Sequence, residues 1–355
     1  MIGLNRNAFR LWLLARLALV GISWLASPCV LAADPPLPLR YPTCEPSAAL
    51  VVSCIGQPGS CLLVGDNETA DALFVYALAE GKPDVGSVRQ IRLGSGGVDD
   101  IESMAKLDDK TLLLLASHSR NSACEIRGSR RRLMLVSDWG KAPPLQGSLS
   151  VTPELSAAAL LGRNAASTPV LQAVGAAIDR AEALADSAAK QKDAFACEAA
   201  AAFNIEGAVA IPGPAGEARV WVGLRSPLVK YAGKTWAALL RLERPDVLGF
   251  DQAVLLDLGG RGVRELTLDG DWLWGIAGGP GDARNNSVLW KLRLGELQPD
   301  ARLHPRIVRD LPESSEGLAF VGAGQAVVLI DGDRGKGRAP ARCRKPGAYL
   351  MLEGE

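Results

Sequence analysis

One seven-residue phrase recurs along this chain and limits what it can become. "NIEGAVA" begins at Asn204, "SSEGLAF" at Ser314 and "DDIESMA" at Asp99, with weaker copies "CEPSAAL" at Cys44 and "GVRELTL" at Gly262. A glutamate opens an apolar run in each copy, and the aligned acids are Glu45, Glu102, Glu206, Glu265 and Glu316. Carboxylates are costly to bury, so five of them at strand mouths point to one shared architectural cause. Successive copies stand roughly 50 to 60 residues apart, save one interval of about twice that, and each leads into short apolar runs bounded by Gly, Pro, Asp or Asn. About four strands per repeat at such a period is the pattern of a β-propeller. The predicted fold is all-β, a five-bladed β-propeller.

The doubled interval has a visible cause in residues 150–198, which are rich in Ala and Leu. "TPELSAAALLG" offers Thr152 as N-cap, Pro153 as first helical residue and Gly162 as stop, and Thr168 with Pro169 repeats the start. Val170, Val174, Ile178, Ala181, Leu184 and Ala188 form an apolar stripe at helical spacing. These features predict an α-helical hairpin inserted in the propeller, either a cover packed on its surface or a substrate lid. The fifth repeat ends at "AYLML" with no fourth strand to follow. "PLPLRY", Pro36–Tyr41, can supply that strand and close the ring, which removes open sheet edges.

Arg6, Arg10 and Arg16 precede the apolar stretch "LALVGISWLASP" and the small residues "VLAA". This predicts a signal peptide over residues 1–32, cut after Ala32, and a single propeller domain over 33–355. An uncleaved anchor is the alternative. After cleavage no membrane span is expected, the location is periplasmic or secreted, and the protein is a monomer. Export makes the six cysteines beyond Cys29 readable as disulfides. Cys54 and Cys61 flank the turn-like "IGQPGS" and are expected to pair, whereas Cys44, Cys124, Cys197 and Cys343 cannot be matched from sequence. Without a CxxC, and with only His118 and His304 as histidines, a zinc site is not expected. Charge is balanced, 39 basic against 39 acidic residues, which argues against nucleic acid as a partner. The basic cluster "RGSRRR", Arg127–Arg132, reads as a solvated loop.

In a propeller, the starts of the inner strands and the loops between second and third strands share one face of the channel. That rule gathers Asp66, Asn67, Glu102, His118, Arg120, Glu206, Arg225, Glu316, Asp331 and Asp333 at a polar mouth, the default place for a small-molecule or protein ligand. The glutamates can be structural acceptors of backbone N–H groups. They can also form a carboxylate cage for a hard cation such as calcium, with Glu102, Glu206 and Glu316 as metal ligands. Arg120 and Arg225 can clamp a phosphate or carboxylate, or pair with the glutamates. His118, in "SHS", is a possible general base, although no GxSxG elbow accompanies it. "DGDRGKG", Asp331–Gly337, opens like a calcium loop but lacks the closing acid.

"SHS", "VGLRSP", "LDLGGRGVREL" and "IAGG", in this order and together with the "EGLA" repeat, resemble bacterial secreted proteins of the domain-of-unknown-function 3616 family. The resemblance covers most of the chain beyond the signal peptide, and it implies an exported β-propeller without an established activity. More distantly, the "EGLA" repeats are similar to phytase-like esterase propellers, whose carboxylate-lined channel can hold calcium and bind phosphate. No catalytic residue carries over. Two functions are therefore expected to compete: a binding or interaction module working at the channel mouth, and a calcium-assisted hydrolase of phosphate or other esters.

Overall fold

The computed structural model describes residues 35–354 apart from 41, 68, 95–97, 142, 146, 153–155, 162–167, 282–285, 323 and 333–342. The proposed signal peptide, its cleavage site and Asp333 lie outside the described residues. Five sheets stand around a channel as propeller blades, antiparallel save where Arg302–Leu303 pairs in parallel with Val247–Leu256 of blade 3. Their inner strands are Pro46–Ser53, Ile101–Lys106, Asn204–Pro212, Gly262–Asp269 and Ser315–Gly322.

Blade 2 shows why these sequences choose strands. Its second strand, Leu112–Ala116, is apolar throughout, because both of its faces are covered. Leu113 and Leu115 enter the core shared with blade 3, and Leu112 and Leu114 enter the core shared with blade 1. That alternation is the period of two of a pleated strand, and each fully buried leucine contributes about 1.5–3 kcal/mol. Three further apolar cores fill the seams between blades 3 and 4, 4 and 5, and 5 and 1.

Blade 5 is closed as expected. Leu37–Pro38 pairs antiparallel with Ala348–Glu353, so the start of the described chain supplies the outer strand of the last blade. The Cys44–Cys343 disulfide lies at the same seam, with a Cα–Cα distance of 5.3 Å. Cys54–Cys61 staples the first hairpin of blade 1, and Cys124–Cys197 is the third bridge.

The insertion follows the outer strand of blade 2, Gly147–Val151, and comprises α1 (Ala157–Leu160), α2 (Pro169–Gln191) and α3 (Ala194–Ala199). Thr168 and Pro169 start α2 as predicted. Pro153 and Gly162 lie outside the described residues, and α1 is a single turn. Val170, Val174, Ile178, Ala181 and Ala188 are buried. Leu184 is not: it is 60% exposed, and Ala185 takes the inward position because the buried face drifts around the helix over its 23 residues. The buried stripe packs on blade 3 beside Val229, Trp236 and Phe250.

Candidate functional site

Every inner strand carries one extra residue at the same place. Register shifts at Pro46/Ala48, Ile101/Ser103, Ile205/Gly207, Val263/Glu265 and Ser315/Gly317 leave Ser47, Glu102, Glu206, Arg264 and Glu316 without a cross-strand partner. Such bulges re-aim a side chain and bend its strand. This corrects the sequence alignment. Glu45 and Glu265 are not the counterparts of Glu102, Glu206 and Glu316; Ser47 and Arg264 are.

Glu265 has a different task, one position further along. Its Oε1 accepts a hydrogen bond from the Leu266 N–H at 2.9 Å and its Oε2 one from the Ala49 N–H at 3.2 Å, and the Leu318 backbone also bonds it. The carboxyl thus ties the inner strands of blades 4, 1 and 5 across the axis. Burial raises its pKa well above the usual carboxylate value, against the pull of those backbone groups. The equivalent residues elsewhere are small: Ala48, Ser103, Gly207 and Gly317. A Cβ at Gly207 would stand 3.0 Å from Leu266 Cγ. Past Glu265, a mostly apolar cavity of about 240 Å³ receives residues from all five inner strands.

At the polar end lies a cavity of about 410 Å³. Of the sequence candidates, Asn67, Glu102, Arg120, Glu206 and Arg225 line it. Arg225 donates to Glu206 Oε1 at 2.6 Å, and to the carbonyls of Gly279 and Gly281 in the neighbouring blade at 3.2 and 3.0 Å. Asn204 Nδ2 donates to the same Glu206 oxygen at 3.0 Å. Arg264 pairs with Glu316 and stands 3.8 Å from Glu206 Oε2. Burial raises the Glu316 pKa, with the Arg264 guanidinium opposing it. Asp100 accepts from Ser117 and pairs with Arg130 at 3.2 Å; burial outweighs both and lifts its pKa to about 6.

Glu102, Glu206 and Glu316 therefore do not form the expected calcium cage. Guanidinium groups hold Glu206 Oε1 and Glu316, and among the described residues no group of three or more His, Cys, Asp and Glu is arranged to hold a metal ion.

His118, Asp66 and Asp331 do not line the cavity. His118 is fully buried, with Nδ1 2.8 Å from the Ala116 carbonyl and its ring edge-on to Phe203 at 6.4 Å. Burial lowers its pKa to about 4, so it is neutral and turned into the blade rather than placed as a base. Arg120 reaches the cavity edge, but it is held by Glu182 at 2.7 Å and Asp186 at 2.7 Å, both on α2. Asp66 caps the chain entry to blade 1, accepting from the Cys44 and Glu45 N–H groups at 2.8 and 3.0 Å. Asp331 lies beneath the rim near Glu316, Glu45 and Asp66, and burial followed by those like charges pushes its pKa to about 9.

The structure adds residues that sequence reasoning passed over. Arg130, from the supposedly solvated "RGSRRR", lines the cavity. So do Ala194, Cys197 and Glu198 of α3, which Cys124–Cys197 holds against the mouth loop of blade 2. Glu182 completes that anchorage, its Oε1 accepting the Phe203 N–H at 2.9 Å just before the inner strand of blade 3.

No protein-family model matches the chain, and no curated protein matches it. Several solved structures are similar to it at a low level. Hydrazine synthase from Kuenenia stuttgartiensis is 10% identical with a TM-score of 0.35, the match covering 89% of this chain and 65% of that one. The PQQ-bound aldose sugar dehydrogenase from Streptomyces coelicolor is 12% identical, TM-score 0.36, with 90% and 98% covered. The Nup133 β-propeller domain from Vanderwaltozyma polyspora is 9% identical, TM-score 0.34, with 86% and 70% covered. At such values no chemistry passes from these proteins to this one.

Proposed function

We propose that the chain is an exported binding protein that takes a small polar ligand into the cup at the polar end of its channel. The propeller fold supports a binding or interaction role in general. The observation that carries the narrower reading is the 410 Å³ cavity, a volume suited to a small molecule. Blades 2 and 3, α3 and the mouth loop of blade 4 converge on it with side-chain amides, hydroxyls and charged groups. Three disulfides accord with an oxidising, extracytoplasmic compartment. Kinship with the domain-of-unknown-function 3616 family is part of the same proposal.

A thermal-shift panel of polyols, sugars, amines and nucleotides tests it. A ligand at a hundredfold excess over its Kd adds about 2.7 kcal/mol of stability, which raises Tm by a few degrees. Ser122→Trp fills the cavity from an exposed lining position, and Arg225→Ala removes a lining cation. Both should abolish the shift. A shift untouched by Ser122→Trp places the ligand elsewhere and ends this reading.

A further inference from the structure

Most charged groups around the cup already have partners, and one on its floor does not. Glu102 is 7% exposed, lines the cavity, and accepts no hydrogen bond among the described residues. The nearby cations are engaged: Arg225 with Glu206, Arg264 with Glu316, Arg130 with Asp100, and Arg120 with Glu182 and Asp186. Lining residues also hold buried acceptor atoms that no donor reaches, namely Asn67 Oδ1, Asn204 Oδ1 and Glu206 Oε2, against a single leftover donor, Arg130 Nε. The Asn204 amide is oriented by its Nδ2 bond to Glu206. The lining thus carries more unpaired acceptors than unpaired donors, and outside the lining Arg264 Nε is one further buried donor without a partner.

We propose that the ligand carries a protonated amine that seats on this floor with Glu102 as its counter-ion. The proposal rests on the reading of the cup as the ligand site. An ammonium supplies three N–H donors and one positive charge in a compact group. The charged groups facing Glu102 are Asp100 just before its own strand, Glu206 and Arg225 from blade 3, and Glu316 from blade 5. Burial first, then the three acids, hold the Glu102 pKa well above the usual value, with Arg225 opposing. Burial and the acids thus favour the protonated form of Glu102 in the empty cup. Entry of the ammonium favours the carboxylate, so the Glu102 proton leaves to solvent, up to one per ligand bound.

Matched pairs differing only in the amine test this: ethanolamine against ethylene glycol, cadaverine against 1,5-pentanediol, and glucamine against sorbitol. Titration calorimetry is run at about pH 6 and about pH 8, in buffers of different ionisation enthalpy. The expected result is at least tenfold tighter binding of the amine member in one or more pairs. Its affinity should rise with pH by up to about tenfold per unit, the slope of one released proton. Glu102→Gln, a neutral isostere of the resting acid, should keep Tm near wild type while losing both the amine preference and the proton release. Proton release by the wild type is a readout independent of that variant's folding. Equal binding of amine and hydroxyl members, or binding without proton release, overturns the amine proposal and leaves the cup reading standing. No binding by any member of any pair overturns both.

Discussion

Asp331 and His118 pull stability in opposite directions along the pH axis. Asp331 has a folded pKa of about 9 against 3.8 for the free group. Its contribution is whole below about pH 4 and is lost as pH rises toward 9, because the unfolded chain gives up its proton first. His118 has a folded pKa of about 4 against 6.5, so its contribution is whole above 6.5 and is lost as pH falls toward 4. Between about pH 4 and 6.5 the two slopes oppose and cancel, so Tm should be level there and fall above 6.5 as pH rises toward 9. Asp331→Asn should flatten the alkaline limb. His118→Asn should instead extend the fall down to about pH 4 by leaving the Asp331 slope unopposed, and asparagine tolerates the positive φ of 59° at that position. A profile unchanged in both variants would refute the assignment.

The same scale shows how the sequence misled. The repeating letter, glutamate, found three of the five bulge positions. The remaining two carry serine and arginine, because what recurs is a backbone irregularity that leaves its side chain free to differ. Glu102 and Arg225 could be placed from strand order, whereas the inward turn of His118 depends on a left-handed backbone that no spacing encodes.

The insertion is the element whose role changed most between sequence and structure. Its proline-started helix and apolar stripe were legible, since helical period and capping are local properties. Its fastening was not. Arg120–Glu182, Arg120–Asp186 and Cys124–Cys197 span 62 or more positions and depend on where blade 2 meets blade 3. Tied to the mouth loop of blade 2 and packed on blade 3, the insertion contributes α3 to the wall of the cup. Cys197→Ser combined with Glu182→Gln should free it. Amide exchange over residues 169–199 should then accelerate while blades 1, 4 and 5 keep wild-type protection. Uniform acceleration across the molecule would show instead that the insertion and propeller unfold as one unit.

For the whole molecule, the three disulfides rank by the length of chain they close. Separations of 299, 73 and 7 residues correspond to about 6, 4 and 2 kcal/mol on the chain-entropy relation. Replacing each bridge by a serine pair should therefore lower denaturant midpoints most for Cys44–Cys343 and least for Cys54–Cys61. A largest effect from Cys54–Cys61 would mean that local hairpin geometry, not ring closure, limits stability. The five blades and the borrowed strand were readable because each repeat carries its own strand pattern. Pairing the distant cysteines required the finished ring, since no local pattern joins residue 44 to residue 343.

That borrowed strand also sets a timetable. Leu37–Pro38 can find its partner only after Ala348–Glu353 has been made, so the earliest described strand is among the last to be seated. A chain halted anywhere before residue 348 leaves blade 5 unfinished and two sheet edges bare, which makes incomplete copies sticky. Closure of the ring thus waits on the last strand of blade 5 rather than on the first four blades.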